Sequence, residues 1–288
     1  EYPAALQDFF ISEGLAYRIS PFNWTEVQEN SIDIDKYYHN IMNRYKWGGV
    51  KENKDYYADE TTTRMIYTHR NLITTLAIAM IQDGRSDADI IALLEKMRQE
   101  IPIEVIPYNA IKDNSVSARE NYPSLLTVYS YLYSNQLDLK DSGDEAYIGD
   151  EQFNLLYKRM EELAESVVKN EYEYLNWYNH LDDRDRSEFF VCQRATILGD
   201  VLAQTGVDTF GDITGKQLFD VLYSGIEYEY NSLTNPDTPL TQEKFEYKIQ
   251  AIYNLYGAAR ELNVSEADST KLETLIYRIM DLVARARG

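Results

Sequence analysis

Apolar residues recur along most of this 288-residue chain at steps of three and four, the spacing of one face of an α-helix. Ile34, Tyr37, Tyr38, Ile41, Met42 and Tyr45 make one such face, and Met65, Ile66, Leu72, Ile73, Leu76, Ala77 and Met80 make the next. Gly84 then offers a left-handed stop. Ser86 with Asp89 reads as a capping box opening a helix with the face Ile90, Leu93, Leu94, Met97 and Ile101, ended by Pro102. A further stripe, Leu125, Leu126, Tyr129, Leu132 and Tyr133, stops before a polar stretch at 135–150, which reads as a loop. Phe153, Leu156, Met160, Leu163 and Val167 resume the pattern. Phe189, Phe190, Ile197, Leu198, Val201 and Leu202 continue it, closed by Gly206. Thr214 with Gln217 caps Leu218, Val221 and Leu222, and Thr241 introduces Phe245, Ile249, Ile252, Tyr253 and Tyr256. Ser265 and Asp268 open the last stripe, Leu272, Leu275, Ile276, Ile279, Leu282 and Val283. Strand-like patterns are confined to 16–19 and 103–106.

About nine or ten amphipathic helices joined by turns predict an all-α fold, an array of antiparallel helix pairs of the tetratricopeptide-like, α-solenoid kind. With only 13 glycines and 7 prolines, the chain has few breakers to interrupt them. Residues 72–102 are the sharpest repeat-like unit, with small residues at Ala77, Ala79 and Ala92 where paired helices approach. The expected organisation is a lead-in segment plus first helix pair over 1–110, and further hairpins in one continuous array over 111–288.

Charge narrows the partners. Against 28 Lys+Arg stand 48 Asp+Glu, a net charge of -20, which repels nucleic acid and anionic bilayers. A single cysteine, Cys192, excludes an internal disulfide and reads as a buried hydrophobe. No metal site and no cofactor are expected: the acidic stretch 138–145 lacks the closing acid of a calcium loop, and nucleotide, hydrolase and zinc motifs are absent. No apolar run is long enough to span a membrane. Without a start methionine or leader, the chain reads as an excised or processed segment.

Paired carboxylates could hydrolyse a glycosidic bond, but with 48 acids such pairs arise by chance. The cluster Asp182, Asp183, Asp185 and Glu188, with Arg184 and Arg186, reads as a solvated helix start. Tyrosine, at 25 residues, is the more pointed signal. Tyr172, Tyr174, Trp177 and Tyr178 alternate with Glu171 and Glu173, and Tyr228 and Tyr230 with Glu227 and Glu229. Such rings could line a groove that holds a sugar or a peptide; the competing reading is packing between helices with the hydroxyls reaching water.

Two ordered blocks carry a resemblance. Glu13-Gly14-Leu15-Ala16-Tyr17-Arg18-Ile19-Ser20-Pro21 precedes Tyr37-Tyr38-His39-Asn40-Ile41-Met42-Asn43-Arg44-Tyr45-Lys46-Trp47-Gly48-Gly49, followed by Tyr57, Asp59, Glu60, Thr61, Arg64, Met65, Arg70, Asn71 and Ile106-Pro107-Tyr108-Asn109. In this order they resemble the C-terminal, extracytoplasmic region of a Bacteroidetes family of multi-pass membrane proteins with a domain of unknown function, similar to protein O-mannosyltransferases. The resemblance is good over about 6–109, thinner to about 181, and absent beyond. It implies a periplasmic domain tethered to the inner membrane by an upstream membrane domain of the same parent, which would hold any glycosyltransferase activity. Tyr17, Arg18, Trp47, Gly48, Gly49, Arg64, Arg70 and Asn71 are motif residues of that resemblance, and their own chemistry reads as architecture more than ligand contact: Arg18 and Arg64 are candidates to pair with acids, Glu13 or Asp59 among them, and Gly48-Gly49 permits a sharp exit from the helix with the Trp47 indole covering the turn. The expectation is a non-catalytic binding domain for a protein or peptide, including a glycan-bearing partner. A soluble carbohydrate-active enzyme with paired carboxylates is the alternative.

Overall fold

The computed structural model describes residues 8–23, 31–53, 55–106, 108, 121–182, 186–205, 209–235 and 240–287. Within these the chain is all-α, built of antiparallel helix pairs, with strand limited to two short hairpins. No helix among the described residues is long and apolar enough to cross a membrane. Packing divides the chain into two compact units, Glu1–Arg159 and Met160–Gly288.

The first unit opens on a hairpin of β1 (Phe10–Ser12) and β2 (Tyr17–Ile19), Phe10 opposite Ile19. The strand expected at 16–19 is therefore present. That at 103–106 is not, because the Val105 and Ile106 amides turn back to the Pro102 carbonyl. At the hairpin turn Gly14 has φ 122°, and a Cβ there would collide with the Tyr45 hydroxyl. That hydroxyl accepts the Leu15 amide at 2.7 Å, while the Asn40 side chain donates to the Glu13 carbonyl at 2.9 Å. Arg18 and Lys36 both pair with the Glu13 carboxylate, as the sequence suggested for Arg18. These bonds bolt the hairpin onto α1 (Ile34–Asn43), itself capped by Asp33.

The helix pair foreseen around Gly84 is α2 (Glu60–Gln82) and α3 (Asp87–Glu100). Gly84 has φ 71°, and the Ser86 hydroxyl accepts the Asp89 amide. Asp59 is occupied in capping α2 through Thr62, so Arg64 pairs with Glu60 at 2.8 Å. Trp47 packs on a cluster of Val50, Ile66, Tyr67, Ile101 and Ile106, followed by Gly48 and Gly49 with φ 68° and 75°. Arg70 is only 3% exposed: it donates to the Ile101 and Ile106 carbonyls and lies over the Tyr67 and Tyr108 rings. Tyr17 is exposed, its ring set edge-on to Phe10, and Asn71 is half-buried. Next, α4 (Asn121–Ser142) packs on α2. It runs well into the stretch read as loop, because Asn135 and Gln136 both donate to Asp87 at 2.8 and 2.6 Å. Only 143–149 separate α4 from α5 (Asp150–Tyr178).

The second unit comprises the later part of α5, α6 (Glu188–Thr205), the hairpin β3 (Thr209–Phe210) and β4 (Ile213–Thr214), α7 (Gly215–Thr234), α8 (Gln242–Arg260) and α9 (Glu266–Arg287). Helix α6 ends at Thr205; Gly206, read as its stop, lies outside the described residues. Thr214 and Gln217 form the full capping box, and Thr241 and Ser265 accept the amides of Lys244 and Asp268. Helix α8 packs on both α6 and α7. Small residues set the approach: a Cβ on Gly199 would stand 3.4 Å from the Ala258 Cα. Two stripes shift from their expected register. Phe189 and Tyr253 are exposed, whereas Arg194 on α6 and Lys248 on α8 face the core. The physical reason is that both cations find buried carboxylates there.

Candidate functional site

The alternation of tyrosine and glutamate proves to encode two buried ion-pair sites. Arg194, 4% exposed, donates to Glu171 at 2.9 Å, and the Tyr174 ring covers its guanidinium with 4.1 Å between Cζ and ring centre. Arg186 repeats the motif: it donates to Glu229 at 2.8 Å beneath the Tyr228 ring, again at 4.1 Å. A second cation shares that carboxylate, since the Lys248 ammonium lies 3.0 Å from Glu229 and 2.8 Å from Glu188. Arg186, Glu229 and Lys248 side chains are wholly buried. The segment carrying Arg186 and Glu188 is thus no solvated helix start; Asp183, Arg184 and Asp185 lie outside the described residues. Two cations against two acids make this group neutral, the condition under which buried charge is tolerated. Burial pushes the neighbouring Cys192 thiol up to about 11, and the Glu229 and Glu188 charges add to the shift.

The other aromatic candidates separate. Tyr178 is buried and stacked on Phe190; Trp177 is 54% exposed beside it. Tyr172 and Tyr230 are half-buried. Of the six, Tyr230 lines a cleft of about 480 Å³ between α7 and α9. Helix geometry builds this cleft. On α7, Tyr223, Glu227, Tyr230 and Asn231 fall at i, i+4, i+7 and i+8; on α9, Thr270, Lys271, Thr274 and Arg278 fall at i, i+1, i+4 and i+8. One end is stapled by Lys216 of α7, which pairs with Asp268 of α9 at 2.9 Å. Leu275 contributes an apolar side chain to the lining.

The electrostatics of the cleft are mixed. The Lys271 ammonium lies 3.8 Å over the Tyr223 ring. Burial pushes the Tyr223 hydroxyl up to about 12, helped by its hydrogen bond to Glu227 and opposed by Arg278. That phenol is protonated at neutral pH, so it serves as a hydrogen-bond donor. Hydroxyls, an amide, one carboxylate and two cations converge here, a set suited to holding a polar ligand. The sequence reading missed Tyr223, Asn231, Lys271 and Arg278. A signal existed in the polar face of the last stripe, where Lys271, Thr274 and Arg278 interrupt an otherwise acidic chain. What no stripe reveals is which other helix that face meets.

Elsewhere the buried acid Glu100 is held by Lys51 at 2.8 Å and Lys96 at 2.7 Å. Among the described residues no three His, Cys, Asp or Glu side chains converge to hold a metal ion. Comparison with protein-family models, with curated proteins and with solved structures finds no match.

Proposed function

We propose that this chain is a non-catalytic all-α binding domain, engaging a protein or peptide partner, including a glycan-bearing one, at the cleft between α7 and α9. The observation that carries the reading is the convergence of Tyr230, Asn231, Glu227, Lys271 and Arg278 on two helices stapled by Lys216 and Asp268. The non-catalytic part is supported by how the buried acids are used. Glu100, Glu171 and Glu229 each sit against a cation, so their charge is committed to structure and not left to act on a substrate. The resemblance of residues 13–109 supports placing the domain in the periplasm, tethered to the inner membrane through an upstream membrane domain, with any glycosyl transfer belonging to that membrane half.

The test is site-specific photocrosslinking from position 231 of the whole chain in a periplasmic extract of its source. A defined set of crosslinked proteins should appear and be lost in Tyr230→Ala and Arg278→Gln variants that keep the native far-UV circular dichroism. Crosslinking indifferent to both substitutions would remove the cleft as the binding site. Turnover in a glycoside panel, abolished by one Asp or Glu substitution, would replace the binding reading with the enzymatic one.

A further inference from the structure

We infer that the α7–α9 cleft recognises an acidic sugar, a pyranose carrying a carboxylate of the uronic-acid type, and that Lys271 and Arg278 select it by its charge. This rests on the reading of the cleft as the binding site.

The chain carries a net charge of -20, yet this cleft holds two cations and one carboxylate, a local excess of one positive charge. Elsewhere in the second unit the cations of Arg186, Arg194, Lys216 and Lys248 are held by acids at 2.7–3.0 Å. Lys271 and Arg278 are not within ion-pair distance of any carboxylate among the described residues, although Glu227 lines the same cleft. An arginine fork presents parallel N–H donors matched to the two oxygens of a carboxylate, and a nearby ammonium adds a second charge-assisted bond.

The rest of the lining narrows the ligand further. Glu227 accepts hydrogen bonds and repels a second negative charge, so a dianion or a run of acidic side chains fits poorly. Asn231, Thr270 and Thr274 both donate and accept, which suits ring hydroxyls. Tyr230 offers a ring with an apolar face against which the C–H side of a pyranose can lie. A volume of about 480 Å³ suits one or two rings more than an extended chain. One negative charge, several hydroxyls and an apolar ring face together describe a uronic acid.

The experiment is calorimetric titration of the whole chain with methyl galacturonoside, with the neutral methyl galactoside, with a glutamate-rich hexapeptide and with inorganic phosphate. Methyl galacturonoside should bind, and the neutral sugar about tenfold or more weaker, the loss of a charge-assisted bond. Arg278→Gln and Lys271→Gln should weaken methyl galacturonoside by a similar factor while leaving the neutral sugar unchanged, and Arg278→Lys should restore part of the loss. Equal binding of the neutral sugar, equal or tighter binding of the hexapeptide or phosphate, or no saccharide binding at all would each overturn the inference. If crosslinking from position 231 still depends on Tyr230 and Arg278 in that event, the binding function stands and only its ligand class falls. If crosslinking is also indifferent to the cleft, both fall.

Discussion

Glu229→Gln is the most informative single change to the second unit. In the native structure this carboxylate, wholly buried, serves two cations at once, Arg186 at 2.8 Å and Lys248 at 3.0 Å. At an effective dielectric of about 20, each contact carries roughly 5–6 kcal/mol of Coulomb attraction. Removing the charge also removes its own desolvation penalty of several kcal/mol, and the amide retains one hydrogen bond. The residue of these opposing effects is the ~3–5 kcal/mol measured when one partner of a buried pair is deleted. Two buried cations are then left with Glu188 alone, which is 12% exposed. Urea denaturation followed by circular dichroism should show the midpoint of the second unit's transition falling by about 2 M at a slope of about 2 kcal/mol per M. Hydrogen exchange of α7 and α8 amides places the loss. The quadruple variant Arg186→Met, Glu188→Met, Glu229→Met, Lys248→Met, which removes both cations and both acids together, should recover most of the stability, because apolar replacement of a whole buried network is often neutral. A loss under about 1 kcal/mol for Glu229→Gln, as for an exposed pair, would refute the reasoning. So would a quadruple variant no more stable than the single one.

Three further outcomes follow from the same structure. Burial works to raise the Glu100 carboxyl, but hydrogen bonds from Lys51 and Lys96 and their charges outweigh it and hold the group below its usual 4.5. Its folded-state value is depressed, so its contribution is present above pH 4.5 and lost as pH falls through the lowered value; a stability gap between wild type and Glu100→Gln that stays constant from pH 7 to 2 would contradict this. The Cys192 thiol, raised to about 11 and half-buried, should alkylate far more slowly at pH 8 in the native chain than in urea, and equal rates would contradict the burial argument. Gly14→Ala should cost about 1–3 kcal/mol, because φ of 122° strains any side chain and the Cβ displaces the Tyr45 hydroxyl from the Leu15 amide; a thermal midpoint within a degree of wild type would refute it.

Local physics was legible in the linear chain. Ser86, Thr214, Thr241 and Ser265 announce helix starts because a cap needs only a side-chain oxygen and an amide a few residues away. The three-to-four spacing of apolar residues announces helices because burial of one face requires it. The pairing of Arg18 with Glu13 was equally readable, five residues apart on one hairpin. Long-range choices were not. The partners Arg186 and Glu229 stand 43 residues apart, and Arg194 and Glu171 stand 23 apart. A charged residue on a stripe looks solvent-facing until a counter-charge from another helix arrives. For the same reason the polar end of α4 read as loop: Asn135 and Gln136 are helical because Asp87, on another helix, satisfies them. The tyrosines showed that aromatic rings would meet charge, but only the tertiary structure, which sets Arg194 of α6 against α5 and Arg186, just before α6, against α7, decided that Tyr174 and Tyr228 cover arginines. The cleft depends still more on tertiary structure, since its cations belong to α9 and its tyrosines to α7. Periodicity assigns each residue a face of its own helix; the facing partner is decided by close packing across tens of residues, where Gly199 and Ala258 let backbones approach and buried charges must balance.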